Sequence, residues 1–394
     1  MKLLVVTCAH AYRTPDGEIF TPSTYDYGFF QRYLTVFDEV CVVARCKEIS
    51  YDEVKKRGYI KMSGPGFSLY PLKWYQGIKE LLFTLPSLIR QCRKAGEECD
   101  RILYRAPQVE SYLTYLFAKT KGIPYAVEVV IDPGTMFSGF LTKLNIWILK
   151  RMIFKANGVS YVTKHYLQNL YPCQAILKEQ TQNYFTEYYT SGAIERVVDF
   201  PRIYPSPNKT FTLLHVANSI STETKGHRSF IRVIKYLVDN GCDVCGVCIG
   251  EGSKVEEFKN LAESLEIGKR IHFIGRIGEK EKLYQKMEEC DLMLFPTSAE
   301  GLPRVLIEAM SRGLPCLSTP VCGIPELLES QFLFEKDNIT GFGEKIKYLI
   351  THPEELNAMS KRNLTVAKEY LQSALEERRT KFYQNLRNCV SARS

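Results

Sequence analysis

The 394-residue chain has no stretch of about 18 uninterrupted apolar residues, which excludes a transmembrane helix on the sequence evidence. It has no internal repeat and no low-complexity run, so solenoids, collagen-like rods and disordered tails are excluded too. The opening MKLLVVTCAHAYRT carries one Lys and a short apolar run, less than an export signal requires, and reads as a buried first strand. A net charge of +8 is spread along the chain without the clustered arm or aromatic interleaving of a nucleic-acid binder. That balance suits a phosphate-bearing small molecule or an anionic membrane surface and leaves nucleic acid out. A cytoplasmic location is the resulting expectation.

Cysteine is plentiful. The thirteen cysteines are odd in number and scattered through a long chain beside no export signal, so they are read as reduced thiols. Cys242, Cys245 and Cys248 have the spacing of a metal site, but DVCGVCIG reads as a strand, where residues three apart face opposite ways. Core packing is the better reading, and no metal site is expected. Hydrophobic content of 45% and charged content of 24% are ordinary for a globular protein, and the length suits two domains.

Both halves alternate buried strands with helices. LLVVTCA, EVCVVAR, RILYRAP and PYAVEVVID read as strands in the first half, with helices such as GIKELLFTLPSLIRQCRKAG between them. Around 198-VDFPRIYPSPNKT-210 the pattern breaks. It restarts with FTLLHVA, DVCGVCIG, RIHFIG, LMLFP and PCLSTP. Two doubly wound α/β domains are expected, 1–200 and 201–394, facing each other across a cleft. The second ends in a polar helical tail that can pack back on the first.

The sharpest local feature is 299-AEGLPRVLIEAMSRGLPCLSTP-320. LMLFPT reads as a strand, SAEGL as a loop and PRVLIEAMSR as a helix, with Pro303 in its first turn and Gly313 just past its end. The helix therefore begins between Glu300 and Glu308. Its free N–H groups, from Gly301, Leu302, Arg304 and Val305, make an anion site at a strand's carboxyl end. Glu308 lies about 7.5 Å further along the axis at 1.5 Å per residue, close to the distance from a diphosphate to its ribose. A nucleotide-linked sugar fits that arrangement.

These residues resemble glycosyltransferase family 4, retaining enzymes of the two-domain GT-B fold with two Rossmann-like domains. The resemblance rests on HVANSISTETKGH (215–227), VCIGEGS (247–253), IHFIGRI (271–277) and LFPTSAEGLPRVLIEAMSRGLPCLSTPVCGIPELL (294–328), in this order. It implies that Glu300 contacts the donor sugar, Glu308 the ribose and Lys225 the diphosphate, with the Gly-rich strand end at Gly252 near the base and sugar; Arg276, just after a strand end, reads either as a base contact or as a solvated arginine. Two departures stand out. Asn218-Ser219 occupies the place where many members carry Gly-Arg, and Pro303 stands where a Gly often follows the first glutamate. Arg304, a first-domain Arg, or Lys225 with the helix amides can make up the missing cation.

The first domain resembles the family more loosely, through DGEIFTPSTYDYGFFQRYLTVFDEVCVVAR with Gly17 near its first turn, expected as a donor-binding residue. Glu128, Asp132 and His10 are its acceptor-side residues. The resemblance implies transfer of a hexose-type sugar from a UDP- or GDP-linked donor to a glycan or lipid-linked hydroxyl, with Lys225 and Glu300 as the catalytic pair and no cofactor. No Asp-x-Asp is present to seat a metal on a diphosphate.

Three other readings stay open at this point. A nucleotide-sugar epimerase or a dehydrogenase is disfavoured by GEGS, which lacks G-x-G-x-x-G. A non-catalytic nucleotide-sugar binding component of a membrane assembly also fits. Finally, 139-GFLTKLNIWILKRMIFKANG-158 sets Lys143, Lys150, Arg151 and Lys155 beside Trp147 and Phe154, which reads either as a sheet-covering helix or as peripheral membrane attachment.

Overall fold

A computed structural model describes residues 1–97, 99–118, 122–135, 139–190, 192–205 and 210–390. The chain divides into two compact units, Met1–Tyr189 with Glu376–Ser394, and Thr190–Leu375. The division falls at Tyr189/Thr190 instead of near 200, and the end of the chain belongs with the first unit. The stretch read as the boundary lies in the second unit, except for 206–209, which fall outside the described residues.

Unit 1 is built on a nine-stranded sheet: β1 (Lys2–Arg13), β2 (Ile19–Thr21), β3 (Glu39–Glu48), β4 (Ile60–Lys61), β5 (Phe67–Lys73), β6 (Arg101–Ala106), β7 (Tyr125–Val129), β8 (Gly158–Tyr161) and β9 (Phe185–Tyr188). Seven strands run parallel in the order β5-β3-β1-β6-β7-β8-β9. The short β2 and β4 pair antiparallel beyond them. β6 is buried along its whole length, as expected for a parallel strand covered by helices on both faces. β1 shifts register between Val6 and His10 and then continues, so His10 lies inside the strand and not after it.

The final helix, Gln372–Asn388, enters unit 1 at Glu376. Arg101, on β6, explains why it stays there: its guanidinium donates to the carbonyls of Leu386, Arg387 and Cys389, which are among the orphan acceptors of that helix end.

Unit 2 holds a five-stranded parallel sheet in the order β12-β11-β10-β13-β14, formed by β10 (Phe211–Ser219), β11 (Val244–Glu251), β12 (Ile271–Phe273), β13 (Leu292–Phe295) and β14 (Cys316–Ser318). Neighbouring strand residues feed opposite cores. Leu213 and Leu292 pack into one cluster, while Leu214 and Met293 pack into another on the other face. This is the doubly wound arrangement expected from the sequence. Cys245 and Cys248 both lie in β11, Cys248 is buried, and all thirteen cysteines are free thiols.

Candidate functional site

The strand order of unit 2 reverses between β10 and β13: from β10 the chain winds outward through β11 and β12, then returns to lay β13 on the other side. Such a switch point leaves a crevice outside the carboxyl ends of the two strands. Two loops line it. After β10 the turn Glu223–Lys225 leads through Gly226 into the helix His227–Asp239. After β13 the segment 296–303 leads into the helix Arg304–Ser311.

Gly226 locks these loops together. Its φ is +79°, and a Cβ there would meet the Pro296 carbonyl oxygen at 1.9 Å, so no other residue fits without parting the loops. Thr224's carbonyl accepts from the Ser298 amide at 2.8 Å and from the Thr297 hydroxyl at 3.1 Å. Held in this way, the Lys225 ammonium and the Glu300 carboxylate meet as an ion pair. Lys225 keeps 32% of its side-chain surface open to solvent. Behind it, burial pushes His215 down to about 4 and His227 down to about 2, so both rings are neutral and Lys225 supplies the charge.

The helix begins one residue later than its sequence suggests. Pro303 keeps ψ at 111° and is the N-cap, and Arg304 is the first helical residue. No described residue accepts from the amides of Gly301, Leu302, Arg304 or Val305. Four donors therefore sit unengaged beside Lys225's loop.

Glu308 is only 7% exposed, and among the described residues no donor reaches its side-chain oxygens. Burial pushes its carboxyl up, while Arg304 and Lys280 pull it down. A nearly buried carboxylate to which the fold supplies no donor is a candidate ligand-binding group. Lys280 was not legible from sequence. It stands at the start of the helix Lys280–Glu289, pairs with Glu195 at 3.0 Å, and nothing in its local pattern points at Glu308.

Gly252 lies at the end of β11, where a Cβ would come within 2.5 Å of the Ile220 backbone, so the β10 and β11 ends close up tightly. Arg276 stands near that end with its side chain 61% exposed and pairs with Glu251 at 3.6 Å, a solvated arrangement. Arg304 is exposed at the first helical position, and its charge is felt by Glu308.

The four first-domain residues lie in unit 1. Gly17 makes a left-handed turn, φ +91°, between β1 and β2. His10 packs on Trp74 with ring centroids 5.0 Å apart. Glu128 is buried, paired with Arg105, and accepts from the Tyr189 and Tyr383 hydroxyls, both at 2.9 Å. Asp132 accepts from Tyr171 at 2.5 Å and from the Gly134 amide at 2.8 Å. The two acids expected on the acceptor side are thus held by interior partners.

Residues 199–365 match the glycosyl transferases group 1 family. This group 1 segment includes Lys225, Glu300 and Glu308 and the whole switch-point crevice. Over 82% of this chain and 81% of its own length, the Staphylococcus aureus protein CapJ is 26% identical. Among solved structures, Anabaena HepE in complex with UDP and glucose superposes with a TM-score of 0.62 at 15% identity, covering 96% of this chain and 98% of that one. The apo lipopolysaccharide outer core galactosyltransferase WaaB gives 0.64 at 14% identity, with 98% of each chain covered. At such identities the likeness is one of fold, and the fold is GT-B.

Proposed function

We propose that the protein is a retaining glycosyltransferase that moves a hexose-type sugar from a UDP- or GDP-linked donor to a hydroxyl of a glycan or lipid-linked acceptor, without a metal ion. The group 1 match and CapJ support a glycosyltransferase of this type. The observation that carries the reading is the set of groups brought together at the switch point of the unit 2 sheet. Four unengaged amides and a donor-less carboxylate lie along the loop and helix that follow β13, and Lys225 meets that loop at Glu300 from the turn that follows β10.

The chemistry follows from charge. As the anomeric C–O bond lengthens, negative charge builds on the leaving diphosphate. Lys225 and the amides of Gly301, Leu302, Arg304 and Val305 are already in place to receive it. Glu308 accepts hydrogen bonds from the ribose hydroxyls, and Glu300 those of the sugar. Lys225 and Glu300 are paired with each other, so a bound diphosphate takes over part of the ammonium and leaves Glu300 free to accept from the sugar.

A panel of UDP- and GDP-sugars, each tested in excess EDTA, is expected to raise the thermal midpoint with one base only. At a hundred times the dissociation constant the gain is about 2.7 kcal/mol. Slow hydrolysis of the same donor without acceptor separates an enzyme from a binding module. No stabilisation by any nucleotide sugar, or stabilisation only with added manganese, would contradict the proposal.

The place of work is proposed to be a membrane surface. No described helix is long and apolar enough to cross a membrane. In unit 1 the helix Phe140–Lys155 buries Ile148, Leu149, Met152 and Ile153 yet exposes Trp147 (56%) and Phe154 (52%) among Lys143, Lys150, Arg151 and Lys155. A helix that only covered a sheet would not need apolar rings on its outer side. Rings with interleaved cations suit an anionic interface, each Lys or Arg contributing about 1 kcal/mol. Binding to anionic but not neutral liposomes is expected, with release at high salt or when the four basic residues are replaced by Glu. Equal recovery in the supernatant with both lipids would end this reading.

A further inference from the structure

At the carboxyl end of the unit 1 strands lies an aromatic run of which only His10 has figured so far. His10 and Tyr12, two apart on β1, share one face of the sheet. Trp74, just past the end of β5, touches both: its ring lies 5.0 Å from His10 and 5.2 Å from Tyr12. Tyr59 continues the run 4.8 Å from Tyr12. All four rings are half-buried. Across the β1–β3 ladder, Arg45 stands opposite His10 and Lys47 opposite Tyr12. Arg45 is held by Glu110 at 2.8 Å, whereas Lys47 is exposed.

We propose that Tyr59, Tyr12, Trp74 and His10 form a carbohydrate-binding platform that takes a pyranose ring of the acceptor glycan, which rests on the glycosyl-transfer reading above. A pyranose ring offers apolar C–H faces and a rim of hydroxyls. Aromatic rings satisfy the faces, and a few polar groups at their edge fix the orientation. Here those polar groups are the tyrosine hydroxyls, the His10 ring nitrogens and the Lys47 ammonium. Burial and Arg45 push the His10 titration down, so its neutral ring offers one donor and one acceptor. The setting is the usual one for ligands of parallel sheets, outside the strands' carboxyl ends. The acids first read as acceptor residues, Glu128 and Asp132, are engaged elsewhere and leave this role open.

The chain contains two tryptophans, so the full-length Trp147→Phe variant makes Trp74 the sole indole reporter. Titration with methyl glucoside, methyl galactoside, N-acetylglucosamine and glucuronate is expected to change its emission saturably with at least one of them, with a dissociation constant on the order of 1–10 mM. Sorbitol, which has the hydroxyls but no ring, should give none. Adding Tyr59→Ala should weaken the response by about two- to tenfold, the range for one aromatic contact, and leave donor stabilisation unchanged. No saturable change with any ring sugar, or an equal change with sorbitol, overturns the platform. The donor assay on the same sample keeps the two readings apart: donor binding without a sugar response removes this inference alone, and the reverse removes the donor assignment alone.

Discussion

Lys225→Ala is expected to lower turnover by about 10²–10³, the usual loss when one stabiliser of leaving-group charge is removed, equivalent to about 2.7–4 kcal/mol of transition-state energy. The geometry puts the loss in kcat. Lys225 is paired with Glu300 in the absence of a donor, so part of its interaction with the diphosphate replaces an existing one and contributes little to ground-state binding. In the transition state the phosphate charge has grown and the exchange favours the phosphate. Removing Lys225 also leaves Glu300 uncompensated beside the diphosphate, so Lys225→Ala with Glu300→Gln should cost less than the two single losses combined. Glu308→Gln should show the opposite split. Its buried carboxylate has no donor of its own to lose, and weaker ribose binding raises donor KM with a smaller change in kcat. Near-normal kcat for Lys225→Ala would remove Lys225 from the proposed chemistry.

The geometry of the candidate site was legible in the sequence because it is local. Glu300, the helix start and Glu308 lie within one loop and one helix, so spacing and helix geometry suffice to place a carboxylate on each side of the N-terminus. Most of the parallel strands were legible as apolar runs for the same reason, whereas β5 and β9, half-polar in pattern, were not. What stayed hidden depends on partners far apart in the chain. A glutamate in a buried strand reads alike whether it faces a ligand or an arginine, and Glu128's partners are 23, 61 and 255 residues away. The final helix reads as a polar tail of the second domain. Its place in unit 1 is set by Arg101, whose guanidinium reaches carbonyls more than 280 residues later. The aromatic run was hidden likewise, since Tyr12, Tyr59 and Trp74 come from three separate segments.

Glu128→Ala is expected to destabilise unit 1 by about 3–5 kcal/mol, the range for breaking a buried ion pair by removing one partner. The cause is what remains behind. Arg105 is buried on β6 against Phe29, 5.1 Å from its guanidinium to the ring centroid, and would keep its charge with no carboxylate to meet it. The hydroxyls of Tyr189 and Tyr383 would lose their acceptor at the same time. Tyr383 lies on the final helix, so the effect should spread there, with faster amide exchange and proteolysis beyond Glu376 before unit 2 responds. Replacing both partners, Glu128→Leu with Arg105→Met, should recover much of the loss, because no unpaired charge is then buried. Urea unfolding followed by exchange at the final helix reads the effect directly. A single Glu128→Ala variant within about 1 kcal/mol of the parent, with an unchanged C-terminal helix, would show that the carboxylate is not structural and would return Glu128 to the residues that face the acceptor.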